Sequence, residues 1–216
     1  MLIANKLNAI IRILLVNSLE NKQDLTVYAL AKKAGITQAM AKRLVIRLKD
    51  SEYVSIGHGV RVVNPIKLIR AWGYTYSVNE LDNIQFVAAE RPQYVMLKIA
   101  NMARMSDKRY AFTLFSATEH INPYVAPSVT HLYIPKKDAH DWEFLFTTAN
   151  MLPTEKGGDV ICFLVDEYYF EGTWNSRGMM VTSVAQLCAD LYSYGGRGEE
   201  AAEQLITMIK RRLENV

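Results

Sequence analysis

Residues 27–62 read VYALAKKAGITQAMAKRLVIRLKDSEYVSIGHGVRV, and the spacing within this stretch decides the fold. Val27, Leu30 and Ala31 recur at helical period behind Asp24 and Thr26, either of which can cap a helix start. Gly35 ends that helix, and Thr37 caps the next, which runs to about Lys49 with Ala41, Leu44, Val45 and Leu48 as its apolar stripe. Ala31, Gly35 and Ala41 put small residues where two helices cross closely and a glycine where the turn needs positive φ. After Asp50, the β-branched runs YVSI and VRVV flank Gly57-His58-Gly59 and predict a hairpin. Helix, tight turn, helix, hairpin is the order of a winged helix-turn-helix.

Upstream, Ile3, Leu7, Ile10, Ile11, Leu14 and Leu15 predict an amphipathic helix over residues 2–19, interrupted by the polar segment Asn21–Asp24. Downstream, Asn64-Pro65 closes the hairpin, IKLIRAW forms one or two further helical turns, and a linker follows near Gly73–Asn79. Residues 1–72 are therefore expected to form the winged helix-turn-helix domain.

The other face of the third helix carries the chemistry. With the Ala41/Leu44/Val45/Leu48 stripe inward, a 100° step turns Ala39, Lys42, Arg43, Ile46 and Arg47 outward, with Gln38 at the tip. A helix fits the major groove of B-DNA, where Arg binds guanine O6 and N7 and Gln binds adenine. Thr37 and the free amides at the helix start suit a phosphate, and His58 and Arg61 on the wing suit the neighbouring backbone or minor groove. A solvated helix face would carry similar residues, so the charge distribution matters. Residues 1–72 hold twelve Lys or Arg against four acids, a surplus of eight, while the remaining 13 basic and 18 acidic residues leave a deficit of five. A basic first third on an acidic remainder is the pattern of a polyanion-binding module joined to something with another task.

Beyond residue 80 the pattern is mixed α/β. Helices are predicted over Pro92–Met105, Ser116–Ile121, Ala139–Asn150, Val184–Tyr192 and Glu199–Leu213, the fourth supported by the capping-box pattern Ser183-x-x-Gln186. Strands are predicted over Tyr110–Thr113, Val129–Ile134 and Asp159–Val165, with a hairpin around Trp174–Val181. The expected class is α+β, an N-terminal winged helix-turn-helix followed by a mixed α/β domain over residues 80–216. Cys162 and Cys188 form neither a disulfide framework nor a metal-type pair, and no run approaches the ~18 apolar residues of a membrane span. Arg12 interrupts IIRILLV and no small-residue cleavage site follows, so the expected location is cytoplasmic, without membrane attachment.

The segments RYAFTLFSATEHINPYV (109–125), VTHLYIP (129–135), GGDVICFLVDE (157–167) and TSVAQLCADLYSYGGRGEEAAEQL (182–205) resemble the C-terminal domain of the AbiEi-type antitoxin regulators. These are winged-helix proteins of bacteria and archaea associated with type IV toxin–antitoxin and phage-resistance systems. The likeness covers most of residues 90–210, and the SVAQL…DL…GRG…AAE run is its most specific part. It implies an N-terminal domain that represses its own operon, a C-terminal domain working in antitoxin activity or assembly, and a cognate toxin protein as partner.

Enzymatic chemistry finds less support. A nucleotidyltransferase needs Gly-Ser near a helix start and two carboxylates at i, i+2 on one strand face. Asp166 and Glu167 are adjacent and would point to opposite faces of a strand, and Glu80-x-Asp82 lacks the Gly-Ser. His120, His131 and His140 show no zinc-type spacing. Gly195-Gly196-Arg197-Gly198 precedes a helix, but Glu199, Glu200 and Glu203 complement its dipole and repel an anion. The expectation is a regulator rather than an enzyme, with no metal and no cofactor, binding double-stranded DNA as a homodimer. The alternatives are an antitoxin acting through protein contacts with secondary DNA binding, and a nucleotidyltransferase-like enzyme.

Overall fold

A computed structural model describes residues 2–20 and 23–214, with side chains from residue 5 onward. The Ile3 side chain and residues 21 and 22 of the predicted interruption thus lie outside the described residues. The chain is a mixed α/β protein. It opens with α1 (Leu2–Leu19), α2 (Val27–Lys33) and α3 (Gln38–Asp50), then a hairpin of β1 (Val54–Ile56) and β2 (Val60–Val62). Thr26 caps α2 by accepting from the Ala29 amide, and Gly35 adopts φ +62° in the turn before α3. A single bridge joins Leu25 to Val60, with the Val60 amide donating to the Leu25 carbonyl at 2.8 Å. That bond ties the segment before α2 to the hairpin.

Asn64-Pro65 does more than close the hairpin. Asn64 caps α4 (Pro65–Gly73), accepting from the Lys67 amide at 3.0 Å, with Pro65 pre-set for the first helical turn.

The remaining strands build one seven-stranded sheet in the order β6-β3-β7-β5-β4-β9-β8. They are β3 (Asn83–Val87), β4 (Ala111–Phe112), β5 (Thr130–Pro135), β6 (Leu152–Thr154), β7 (Val160–Val165), β8 (Trp174–Ser176) and β9 (Met179–Val181). The parallel β5–β7 pair lies at its centre, aligned from Thr130↔Val160 to Pro135↔Val165. Every residue of β5 is buried, as expected of a strand covered on both faces. His131 and Tyr133 point to α8 (Val184–Tyr194), where they meet Tyr194 and Asp190. On the opposite face Phe112, aligned with Leu132, joins Tyr110 and through it Trp142 of α7 (Ala139–Thr148). Among the described residues, α5 (Pro92–Met105), α6 (Leu114–Ile121) and α9 (Arg197–Glu214) complete the α-helices.

Two strands escape sequence reasoning. In β3, NIQFV alternates poorly because only Phe86 is buried, and β6 carries Pro153, which is tolerated because β6 is an edge. The Gly73–Asn79 stretch differs from a loose linker. Tyr76 and Val78 are buried, Tyr76 packs on Trp72 at 5.6 Å, and the Val78 amide donates to Ser193 Oγ at 3.0 Å. Apolar side chains in that stretch give it a place in the core, which runs as one cluster from Ala9 in α1 to Ile209 in α9. Among the described residues, no helix is long and apolar enough to cross a membrane.

Candidate nucleic-acid interface

The inward stripe of α3 is completely covered, with Ala41, Leu44, Val45 and Leu48 all buried against the first two helices and the hairpin. Burying these four side chains holds the helix by one face and leaves the other to solvent. Gln38, Ala39, Lys42, Arg43, Ile46 and Arg47 are exposed, as the 100° step requires.

Thr37 sits at the N-cap in extended conformation, and its hydroxyl accepts from the Met40 amide at 3.3 Å. The first intrahelical bond runs from Ala41 N to Thr37 O at 3.0 Å. The amides of Gln38 and Ala39 precede it, at the positive end of the helix dipole.

Among the described residues, none of Lys42, Arg43 and Arg47 is ion-paired with a carboxylate. Arg43 rests an Nη on Met40 Sδ at 2.9 Å, along its own helix. Other cations of the first 72 residues are differently placed. Lys33 pairs with Glu171, Arg70 grips Glu203 through two bonds of 3.0 and 2.6 Å, and Arg12 is buried. Glu203, whose carboxyl is held below its ordinary range by Arg70, thus bonds a cation of α4 as well as lying near the dipole of α9. The basic surplus is partly consumed inside the molecule, and α3 keeps the charge that faces out.

The hairpin follows α3 directly, with the Tyr53 amide bonded to the Leu48 carbonyl at 2.9 Å. His58 is exposed at its tip. Arg61 is also exposed, but its Nε donates to Asp24 Oδ1 at 2.9 Å. His58, Arg61 and Asp24 line one cleft of about 650 Å³ between the hairpin and α1. The structure therefore groups Thr37, Gln38, Lys42, Arg43 and Arg47 on one helix face and puts His58 and Arg61 on a neighbouring element. The Asp24–Arg61 pair spans 37 positions and leaves no local signal in the sequence.

A polar constellation of another kind is buried between α1 and α8. Arg12 donates through Nε to Gln186 Oε1, and its guanidinium carbon lies 3.7 Å from the Tyr169 ring centroid. Gln186 Nε2 and the Tyr133 hydroxyl donate to Asp190 Oδ1 at 2.7 and 2.6 Å, and Thr113 donates to Oδ2. Burial pushes the Asp190 carboxyl up to about 6 against the pull of these bonds. Ser183 does cap α8, bonding the Gln186 amide at 3.2 Å, but the Gln186 side chain turns inward to this network instead of closing a capping box.

The acids weighed for metal chemistry face cations instead. Glu167 pairs with Arg109 and Lys137, and Asp82 lies 3.6 Å from Lys136. His131 is buried against Phe163, and burial lowers it to about 4, whereas the His140 side chain is 95% exposed. Among the described residues, no three His, Cys, Asp or Glu side chains gather as metal ligands. Cys162 and Cys188 are buried free thiols.

Residues 61–212 match the model of a family described as "Transcriptional regulator, AbiEi antitoxin, Type IV TA system". No curated protein and no solved structure matches the chain.

Proposed function

The chain belongs to the family of AbiEi transcriptional regulators and antitoxins of type IV toxin–antitoxin systems, and from that premise we propose that it binds operator DNA through a winged helix-turn-helix in residues 1–72. In this reading α3 is the recognition helix. Gln38, Lys42, Arg43 and Arg47 meet the major groove, Thr37 and the first amides of α3 take a phosphate, and His58 and Arg61 reach the flanking backbone from the wing. Asp24 engages only Nε of Arg61 in its bond, so the Nη groups remain to meet a phosphate. Residues 80–216 serve the antitoxin role, the protein does not act as an enzyme, and a homodimer reads two half-sites. Repression of its own operon and a cognate toxin as partner complete the proposal.

The observation that carries it is the face of α3: three cations, exposed, free of carboxylate partners among the described residues, on a helix whose opposite face is wholly buried. Cations left unneutralised in this way are what a phosphate backbone rewards, through counterion release.

The test is fluorescence anisotropy of the full chain with its own upstream DNA over a salt series. Log affinity should fall linearly with log salt, and the slope should shrink by about one for each phosphate contact removed. Arg47→Ala should cost about 1–3 kcal/mol at the operator if it reads a base, and much less on unrelated duplex. A wild-type chain that binds no duplex at low salt sinks the proposal.

A further inference from the structure

The C-terminal half is acidic overall, yet one of its clefts is rimmed by cations. This cleft, of about 490 Å³, opens between the end of α5, the loop leading to β4 and the β8–β9 turn. Arg104, Lys108, Arg109 and Arg177 line it, and Asp107 is the only carboxylate in the lining among the described residues.

Two of the four cations are already engaged. Lys108 is held by Asp138 and Asp141, and Arg109 by Glu167. The other two are not. Arg104 donates to Asn101 Oδ1 at 3.0 Å, and among the described residues neither Arg104 nor Arg177 pairs with a carboxylate.

Arg177 is placed at a conformational cost. It and Gly178, at φ +53° and +85°, are the two central residues of the turn between β8 and β9. Both central positions of such a turn need positive φ, and Asn, Asp or Gly ordinarily occupies the first. An arginine there carries strain, and it projects its charge from the tip of a short hairpin.

Inside the cationic rim the lining mixes an apolar patch with the polar side chains of Asn101, Thr173 and Asn175. Leu97 is half exposed, Ala100 and Met180 are partly buried, and the Arg109 guanidinium lies 4.7 Å from the centroid of the Phe170 ring. An apolar floor under uncommitted arginines fits a ligand with a flat, weakly polar body and a phosphoryl group, because guanidinium groups bind phosphate through paired N–H donors. We propose that this cleft binds a nucleoside mono- or diphosphate, its phosphoryl oxygens on Arg104 and Arg177 and its base along Leu97 and Met180. This site is separate from α3 and does not depend on the DNA-binding reading.

Isothermal titration of the full chain tests it with four probes: ADP, AMP, adenosine and inorganic phosphate. ADP and AMP should bind, and both adenosine and inorganic phosphate should bind about tenfold or more weakly, since each lacks half of the recognised chemistry. Arg104→Ala and Arg177→Gly should each weaken ADP severalfold. Arg177→Gly places the residue that the turn geometry favours, so a melting temperature at or above wild type shows it folded while its binding falls. The proposal is overturned if millimolar ADP gives neither heat nor a melting shift. It is equally overturned if both variants bind ADP as wild type does, if inorganic phosphate matches ADP, or if loss of Lys42, Arg43 and Arg47 abolishes ADP binding instead. Binding of a short single-stranded RNA without binding of ADP also overturns it.

Discussion

The Arg12 guanidinium carbon lies over Tyr169, 3.7 Å from the ring centroid, so a cation from the first helix is buried against a residue 157 positions away. Trp72 and Tyr168 approach it at 5.4 and 5.3 Å, completing an aromatic surround. Both Nη atoms are buried without a hydrogen-bond partner among the described residues. The position therefore draws its stability from packing and cation–π contact more than from hydrogen bonds. Arg12→Ala should destabilise the chain by about 3 kcal/mol in urea denaturation, through the cavity it leaves. Arg12→Met, which refills the space and buries no charge, should recover most of that loss. Equal losses in the two variants would show that charge, not volume, is what matters there.

Two buried groups pull the pH dependence of stability in opposite directions. Asp190 holds its proton up to about pH 6 in the fold against an ordinary 3.8. The stability it contributes is complete below that ordinary value and is lost as pH rises through 6. Burial lowers His131 to about 4 from 6.5. Its contribution is complete above 6.5 and is lost as pH falls toward 4. Each effect is worth about 3 kcal/mol, so they nearly cancel between pH 4 and 6.5. Asp190→Asn should make stability climb with pH across that window relative to wild type, and His131→Phe should make it decline. Urea midpoints at pH 4.5, 5.5 and 6.5, about one unit apart, read both slopes, and parallel curves for all three proteins would refute the assignment.

Gly198 sets the approach of α9 to α8. A Cβ built there would lie 2.3 Å from the Leu191 carbonyl oxygen, which is backbone and has no rotamer to change. Gly198→Ala should push α9 outward and cost about 2–3 kcal/mol. Gly57 in the hairpin has open space around it, so Gly57→Ala should stay within about 0.5 kcal/mol of wild type. Thermal melts of the two variants make the comparison.

Thr37 separates folding from binding. Thr37→Ala removes the bond to the Met40 amide and should cost about 1 kcal/mol of stability. Thr37→Asp keeps a cap and favours the helix dipole, so its melting temperature should hold. Its carboxylate would repel a phosphate at the same place, and affinity for the upstream duplex should drop severalfold while the fold is intact. Unchanged DNA affinity in Thr37→Asp would remove Thr37 and the start of α3 from the interface.

Much of the fold was legible from local pattern. The helix over Pro92–Met105 has the bounds read from its periodicity, and α1 spans the predicted residues 2–19. The strands that were missed are those whose burial is uneven, β3 with one buried residue and β6 at an exposed edge. In the candidate interface, the outward set on α3 follows from helix geometry alone. The pairing of Arg61 with Asp24 does not, because it joins residues on separate elements.

Helix spacing, caps and turn residues act within a few positions of one another, so the order of elements and the exposed cationic face of α3 were already written in the chain. Side chains brought together from distant positions obey no such rule. Arg12 looked like an interruption of an apolar run and became a fully buried cation, because Trp72, Tyr169 and Gln186 converge on it from elements far apart in sequence. The same long-range convergence put Arg104 and Arg177 on the lining of one cleft and raised the Asp190 carboxyl toward neutrality. Only the folded chain sets those distances, and electrostatic and packing energies depend on distance in space, not on separation along the sequence.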